Sequence, residues 1–196
     1  MKIDIAIPPN APRLKNWLAQ NVCGFLFKAL GWRISGTFPD VKKAVIIVAP
    51  HTSNWDYIIA MLGIRYLSVR VRYLMKSELD VWPVKYMFRG LGGIPVQRGA
   101  KTDIVQQCID KFNEAETLWL GLAPEGTRHK TKTWKTGFLR IAQGADVPII
   151  LVGIDGANKT LVIDKIIDLE GDFEQQAQTL KEYTTKKFTG IKPQNQ

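Results

Sequence analysis

Ala44-Val45-Ile46-Ile47-Val48 is an uninterrupted apolar run, β-branched in four of its five residues. It is followed by Ala49-Pro50-His51-Thr52-Ser53-Asn54-Trp55-Asp56 and then by the amphipathic stretch Tyr57 to Leu67. A short β-branched run closed by a proline and a polar cluster predicts a buried strand, and apolar residues at helical spacing after it predict a helix. Strand, turn and helix in that order call for a sheet with a helix packed on it, and they put His51 on the turn and Asp56 in the first helical turn. The break between the two residues decides what they can do. On one continuous helix, residues five apart point roughly 140° away from each other, whereas a turn between them lets the side chains meet. A carboxylate against one ring nitrogen of His51 would fix its tautomer and stabilise the imidazolium, leaving the other nitrogen to take a proton from a hydroxyl. The same residues also spell a capping box, Ser53 followed three positions later by Asp56, in which the carboxylate serves only the helix N-terminus.

The remaining chain alternates in the same way. Arg13 to Leu30 carries Trp17, Leu18, Val22, Phe25, Leu26 and Leu30 on one broad helical face beside Arg13, Lys15 and Lys28. This basic, aromatic helix suits either a bilayer interface or packing on its own core. Strands are expected at Trp32 to Thr37, Ala44 to Val48, Val71 to Met75, Gly92 to Val96, Thr117 to Leu122, Pro148 to Ile154 and around Leu161 to Ile167. Helices are expected at Thr102 to Glu114, with Ile104, Val105, Cys108, Ile109 and Phe112 inward, at about Thr136 to Gly144, and at Phe173 to Phe188. Ser77 to Arg89 reads as helical or irregular structure interrupted at Pro83. The fold class expected is α/β: one domain whose central sheet, mostly parallel or mixed, is flanked by helices. Within that single folding unit, residues 1–43 form an N-terminal amphipathic helix and lead-in strand with a membrane-docking character, and residues 44–196 the catalytic part. Met1 to Pro12 and Gly190 to Gln196 read as loose ends.

At 196 residues one substantial core is expected. No apolar stretch reaches the ~18 residues of a membrane span, and no signal peptide is evident, so the expected location is the cytoplasm. Cys23 and Cys108 are too few for a disulfide framework and read as core residues, and two histidines in different motifs give no metal cluster. The formal charge of +9 is unevenly placed: residues 1–100 hold 14 Lys and Arg against 5 Asp and Glu, and residues 101–196 hold 13 of each. A one-sided cationic field favours an anionic partner, whether nucleic acid, a phospholipid surface, a polyphosphate cofactor or an acidic carrier protein.

In α/β sheets the strand exits tend to form the site. Three exits here carry His51 with Asp56, Arg98 with its flanking glycines, and Glu125 with Arg128. Arg98 and Arg128 suit bidentate recognition of a phosphate, Gly93, Gly99 and Gly126 allow close backbone approach to a ligand, and Glu125 can hydrogen-bond substrate hydroxyls. The basic loop Arg128 to Lys135 suits donor phosphates or anionic headgroups. No G-x-S-x-G nucleophile elbow is present to support a serine hydrolase.

His51-Thr52-Ser53-Asn54-Trp55-Asp56 resembles the HxxxxD motif of the glycerolipid acyltransferase family. Gly93 to Arg98 is similar to that family's second block, Pro124-Glu125-Gly126-Thr127-Arg128 to its third, and Val147-Pro148-Ile149-Ile150 to its proline-containing fourth. The blocks occur in family order over residues 50–151. The chain departs from the family's usual pattern at Pro50, Pro95 and Gln97, which bears on the acceptor more than on the chemistry. The resemblance implies His51 and Asp56 as the catalytic pair and Arg98, Glu125, Gly126, Thr127 and Arg128 as substrate-binding residues. It implies acyl transfer from acyl-CoA or acyl carrier protein to the hydroxyl of a lysophospholipid, foremost 1-acylglycerol-3-phosphate, with another lysolipid or hydroxyl lipid as the alternative acceptor. No metal and no cofactor beyond the donor are implied, the partners are an anionic membrane surface and no nucleic acid, and the location is peripheral, on the inner face of the membrane. A non-catalytic basic membrane-binding protein is the alternative of a different kind.

Overall fold

The computed structural model describes residues 5–79, 81–96 and 103–196, with only the backbone of Lys76, Leu79 and Val84. The expected strands all form: β1 (Arg33–Gly36), β2 (Lys43–Ala49), β3 (Val71–Lys76), β4 (Gly93–Val96), β5 (Leu118–Leu122), β6 (Ile149–Asp155) and β7 (Thr160–Ile167). They make one seven-stranded sheet in the order β1-β7-β6-β2-β5-β3-β4. Every neighbouring pair is parallel except β6 and β7, an antiparallel hairpin. The sheet is therefore mixed and mostly parallel. The central strand β2 is covered on both faces, which is why it reads as continuous apolar sequence without alternation.

Among the described residues six helices flank the sheet: α1 (Trp17–Ala29), α2 (Asn54–Tyr66), α3 (Val84–Gly90), α4 (Ile104–Glu114), α5 (Gly137–Ala145) and α6 (Phe173–Lys187). Val45, Ile47 and Ala49 of β2 point to one face, where Cys108 and Phe112 of α4, Phe138, Leu139 and Ala142 of α5, and Ala177 and Leu180 of α6 close over them. Ala44 and Ile46 point to the other, with Trp119, Ile150, Leu67 and Ala11. The split follows the two-residue period of a strand. The segment Ser77–Arg89 resolves into a 3-10 turn at Ser77–Leu79 and the short α3, with Pro83 as the N-cap.

Three local readings need correction. The first helix begins at Trp17, not Arg13, because the Asn16 side chain accepts from the Ala19 N–H and sets the start there; Arg13 instead bridges to Val69. Cys108 is buried, but Cys23 is only half-buried. The supposed loose ends are packed. Ile5 and Ile7 lie on the second core face and Ala11 is buried in it, while Pro193–Asn195 forms a 3-10 turn hydrogen-bonded to the rest of the chain.

The apolar face of α1 turns outward. Trp17 is 76% exposed and Phe25 67%, with Leu18, Val22, Leu26 and Leu30 also exposed, whereas Gly24 and Phe27 are the buried positions. Phe27 stacks between Trp32 and Tyr66 at ring-centroid distances of 6.3 and 6.2 Å, fastening α1 to α2. Gly63 of α2 makes room for β7: a Cβ there would lie 2.7 Å from Leu161 Cδ1, while the Phe27 ring at 3.5 Å is at ordinary contact distance. We expect Phe27→Ala to cost about 3–5 kcal/mol in urea unfolding, and Trp17→Ala or Phe25→Ala to stay within about 0.5 kcal/mol of the parent. Equal losses at all three positions would contradict the outward placement.

Candidate active site

β2 and β5 are parallel neighbours with Ile47 paired to Leu122, so their exits run side by side. His51 lies four residues beyond Ile47, and Glu125 three beyond Leu122. The two loops lock together there: the His51 backbone N–H donates to both Glu125 carboxylate oxygens, at 3.0 and 2.8 Å. The turn then starts α2, with Ser53 as an extended N-cap. Both roles foreseen for Asp56 occur at once. Its side chain accepts from the Thr52 N–H at 2.5 Å and the Ser53 N–H at 2.6 Å, completing the capping box, and the same Oδ2 stands 3.3 Å from His51 Nδ1. The Asp56 side chain is fully buried and the His51 ring 19% exposed. At this separation the carboxylate can hold the ring through Nδ1, which would leave Nε2 free to accept a proton.

The third block forms a closed loop. The Gly126 N–H donates to Ala123 O and the Lys135 N–H to Pro124 O. Gly126 has φ +66°, and the Lys135 side chain lies across it, so a Cβ there would meet Lys135 Cε at 2.9 Å. Thr127 Oγ1 accepts from the His129 N–H at 3.3 Å, and Arg128 is exposed to solvent beside Lys130 and His129. The close approach at Gly93 is internal: a Cβ would meet Met75 Sδ at 2.5 Å and Phe88 O at 3.0 Å, so packing, not a ligand, explains that glycine. Arg98 and Gly99 lie outside the described residues. Both oxygens of Glu125, expected to meet substrate hydroxyls, here accept from the His51 backbone N–H.

With this geometry in place, the comparisons decide the family. The family model for acyltransferases matches residues 27–155, two thirds of the chain, and spans His51, Asp56, Glu125 and Arg128. The chain belongs to the acyltransferase family. The crystal structure of a 1-acyl-sn-glycerophosphate (LPA) acyltransferase, PlsC, from Thermotoga maritima shares its fold, with a TM-score of 0.58 at 19% sequence identity over 86% of this chain and 74% of that one. No curated protein matches the chain.

In this acyltransferase the structure brings His51, Asp56 and Glu125 together and adds two contacts that their spacing does not signal. Thr52 is buried and hydrogen-bonded to the C-terminal segment, a contact across 140 residues that no local pattern signals. Lys135 over Gly126 was readable only as one more charge of a basic loop. Near the far end of that loop, Trp134, Lys135, Thr136, Arg140, Glu174 and Gln178 line a hollow of about 500 Å³ that includes neither His51 nor Glu125.

Glu125 is the group whose protonation the enzyme's surroundings alter most usefully. Burial raises its pKa from 4.5 to about 7, with the Asp56 charge adding to the rise, against the lowering influence of the His51 N–H and charge and of Lys181. A carboxyl whose folded pKa is raised contributes stability that is full below its unfolded pKa and is lost as pH rises through about 7. The loss reaches at most about 3 kcal/mol for a shift of this size. Glu125→Gln keeps an acceptor for the His51 N–H and does not ionise. Its unfolding free energy should therefore fall less than the parent's between pH 5 and pH 8 in urea melts; parallel pH curves for the two proteins would refute the assignment.

Proposed function

We propose that this acyltransferase moves a fatty acyl group from the thioester of acyl-CoA or acyl carrier protein to the free hydroxyl of a lysophospholipid, foremost 1-acylglycerol-3-phosphate. The observation that carries the reading is His51 Nδ1 at 3.3 Å from a buried Asp56, with the ring still partly open to solvent beside the Glu125 loop. Nε2 takes the acceptor's hydroxyl proton as its oxygen attacks the thioester carbonyl carbon. The tetrahedral adduct collapses with cleavage of the C–S bond, and the imidazolium returns the proton to the leaving thiolate, giving an ester and a free thiol. No acyl-enzyme is required. Arg128, with Arg98, supplies fixed charge for the acceptor phosphate, and Gly126 and Thr127 shape the loop that presents it. The acceptor is supported by the activity named for the Thermotoga maritima structure and by the exposed Arg128 of the third block.

The same reading places the protein peripherally on the inner face of an anionic membrane. Among the described residues no helix is long and apolar enough to cross a bilayer. What supports docking is the outward face of α1, where two large aromatic side chains and four aliphatic ones meet solvent next to basic residues. α2 adds exposed Trp55 and Ile58 within a turn or two of His51, so the lipid-facing side chains reach the reacting end of the molecule. Indole and phenyl rings at headgroup level and cations toward anionic lipid account for such a surface.

Mass spectrometry of purified protein given acyl-CoA or acyl carrier protein with a panel of lysolipids should reveal a diacyl product. His51→Ala should lower that turnover by about 10² to 10⁴ while flotation on anionic liposomes persists. Arg128→Ala should raise the acceptor KM about tenfold or more through loss of a charge-assisted hydrogen bond. Liposome binding with no transfer to any acceptor would favour the non-catalytic membrane-binding alternative, and thioester loss without an acylated lipid would favour a hydrolase.

A further inference from the structure

Thr52, beside the proposed base, is 1% exposed and has every backbone and side-chain polar group engaged. Its N–H donates to Asp56 Oδ2. Its Oγ1 accepts from the Lys192 N–H at 3.1 Å, and its carbonyl oxygen accepts from Asn195 Nδ2 at 2.8 Å. Gly190 presses directly on the threonine: a Cβ there would lie 2.5 Å from Thr52 Cγ2 and 2.8 Å from Oγ1.

The segment making these contacts is itself anchored. Phe188 covers Gly153 of β6 so closely that a Cβ on that glycine would stand 2.3 Å from the ring. The Gly156 N–H donates to Thr189 O at 2.6 Å. Gln196 closes the segment on itself, accepting from the Gly190 N–H and donating to Phe188 O at 2.8 and 2.7 Å. All of it lies outside residues 27–155, the stretch that the acyltransferase family model matches.

The Thr52 carbonyl and the Ser53 N–H belong to one peptide unit, and a peptide unit is planar with its C=O and N–H on opposite edges. Asn195 holds the carbonyl edge, and the opposite edge points its N–H at Asp56 Oδ2, 2.6 Å away. Fixing one edge sets the direction of the other. The same Oδ2 faces His51 Nδ1.

We propose that Gly190, Lys192 and Asn195, held by the anchored C-terminal segment, form a clamp that positions the His51–Asp56 pair through Thr52, with Asn195 as its principal positioning residue. The inference rests on His51 being the general base. Asn195 touches no reacting atom; it acts by aiming the Thr52–Ser53 peptide at the carboxylate that orients the imidazole.

The test compares Asn195→Ala and Asn195→Asp with the parent and with Gln194→Ala, an exposed neighbour in the same segment. Asn195→Asp keeps the size but removes the donor and sets a carboxylate oxygen against the Thr52 carbonyl. Misplacement of a catalytic group is costly, and kcat should fall about tenfold to a hundredfold in both Asn195 variants. Both substrate KM values should stay within about twofold, since the clamp contacts neither substrate, and Gln194→Ala should match the parent. Independently of turnover, ¹⁵N shifts of the His51 ring, distinguished from His129 by a His129→Gln background, should show the Nδ1–H tautomer in the parent and a mixture in the Asn195 variants. Unchanged kcat and tautomer in both variants would overturn the clamp, as would a lowered melting temperature with kcat retained below it. If the parent transfers no acyl group to any lysolipid, the proposed reaction fails, while the tautomer still decides the clamp: a mixture in the variants upholds it, and a parent-like ring overturns it.

Discussion

One buried carboxylate ties the start of α2 to the imidazole beside it. Asp56 gathers two backbone N–H groups and the Ser53 hydroxyl, and it meets His51 Nδ1 with the oxygen that takes both N–H groups. Helix capping and base orientation are alternative readings of a sequence motif, yet in space they are one arrangement. The capping bonds fix where the carboxylate stands, at the N-terminal end where the helix dipole favours a negative charge. The carboxylate in turn fixes the imidazole. A turn this tightly hydrogen-bonded leaves His51 few alternative positions, which is what a general base needs before substrate arrives.

The sheet supplies the partner for that turn. Because β2 and β5 are parallel and adjacent, with Ile47 level with Leu122, their loops leave the same edge of the sheet and meet beyond it. Everything local in this arrangement is legible from sequence: the β-branched run, the polar turn, the amphipathic helix and the glycine of the third block each follow from residue spacing. The meeting itself is not. Glu125 contacts the residue 74 positions before it, and Asn195 the residue 143 before it. Chain spacing is blind to such pairs, and so Glu125 read as a hydroxyl binder and the C-terminal residues as a loose tail.

α1 shows a different limit. Helical periodicity identifies a face but not the direction in which it points. Trp17, Leu18, Val22, Phe25, Leu26 and Leu30 do share a stripe, but the helix packs inward through Gly24 and Phe27, smaller in number and weaker as a pattern. A small residue and a single aromatic suffice because the Phe27 ring seats between those of Trp32 and Tyr66. The larger apolar stripe is then left to solvent, in the half of the chain that carries all of the excess positive charge. An exposed apolar stripe is one of the two components by which amphipathic helices hold anionic bilayers, and cationic side chains are the other.

The two carboxylates beside His51 divide their work by what they touch. Asp56 meets the ring; Glu125 meets the backbone N–H and, through burial first and the neighbouring negative charge second, has its pKa raised to about 7. Glu125 therefore changes protonation near neutral pH, within hydrogen-bond reach of the His51 backbone. A positive charge on His51 favours the ionised form of Glu125, since the interaction lowers its pKa. In the proposed reaction, a proton gained by His51 would favour the ionised form of Glu125. Two like charges held permanently this close would repel each other, and a carboxyl whose pKa is raised to about 7 avoids part of that cost below neutral pH.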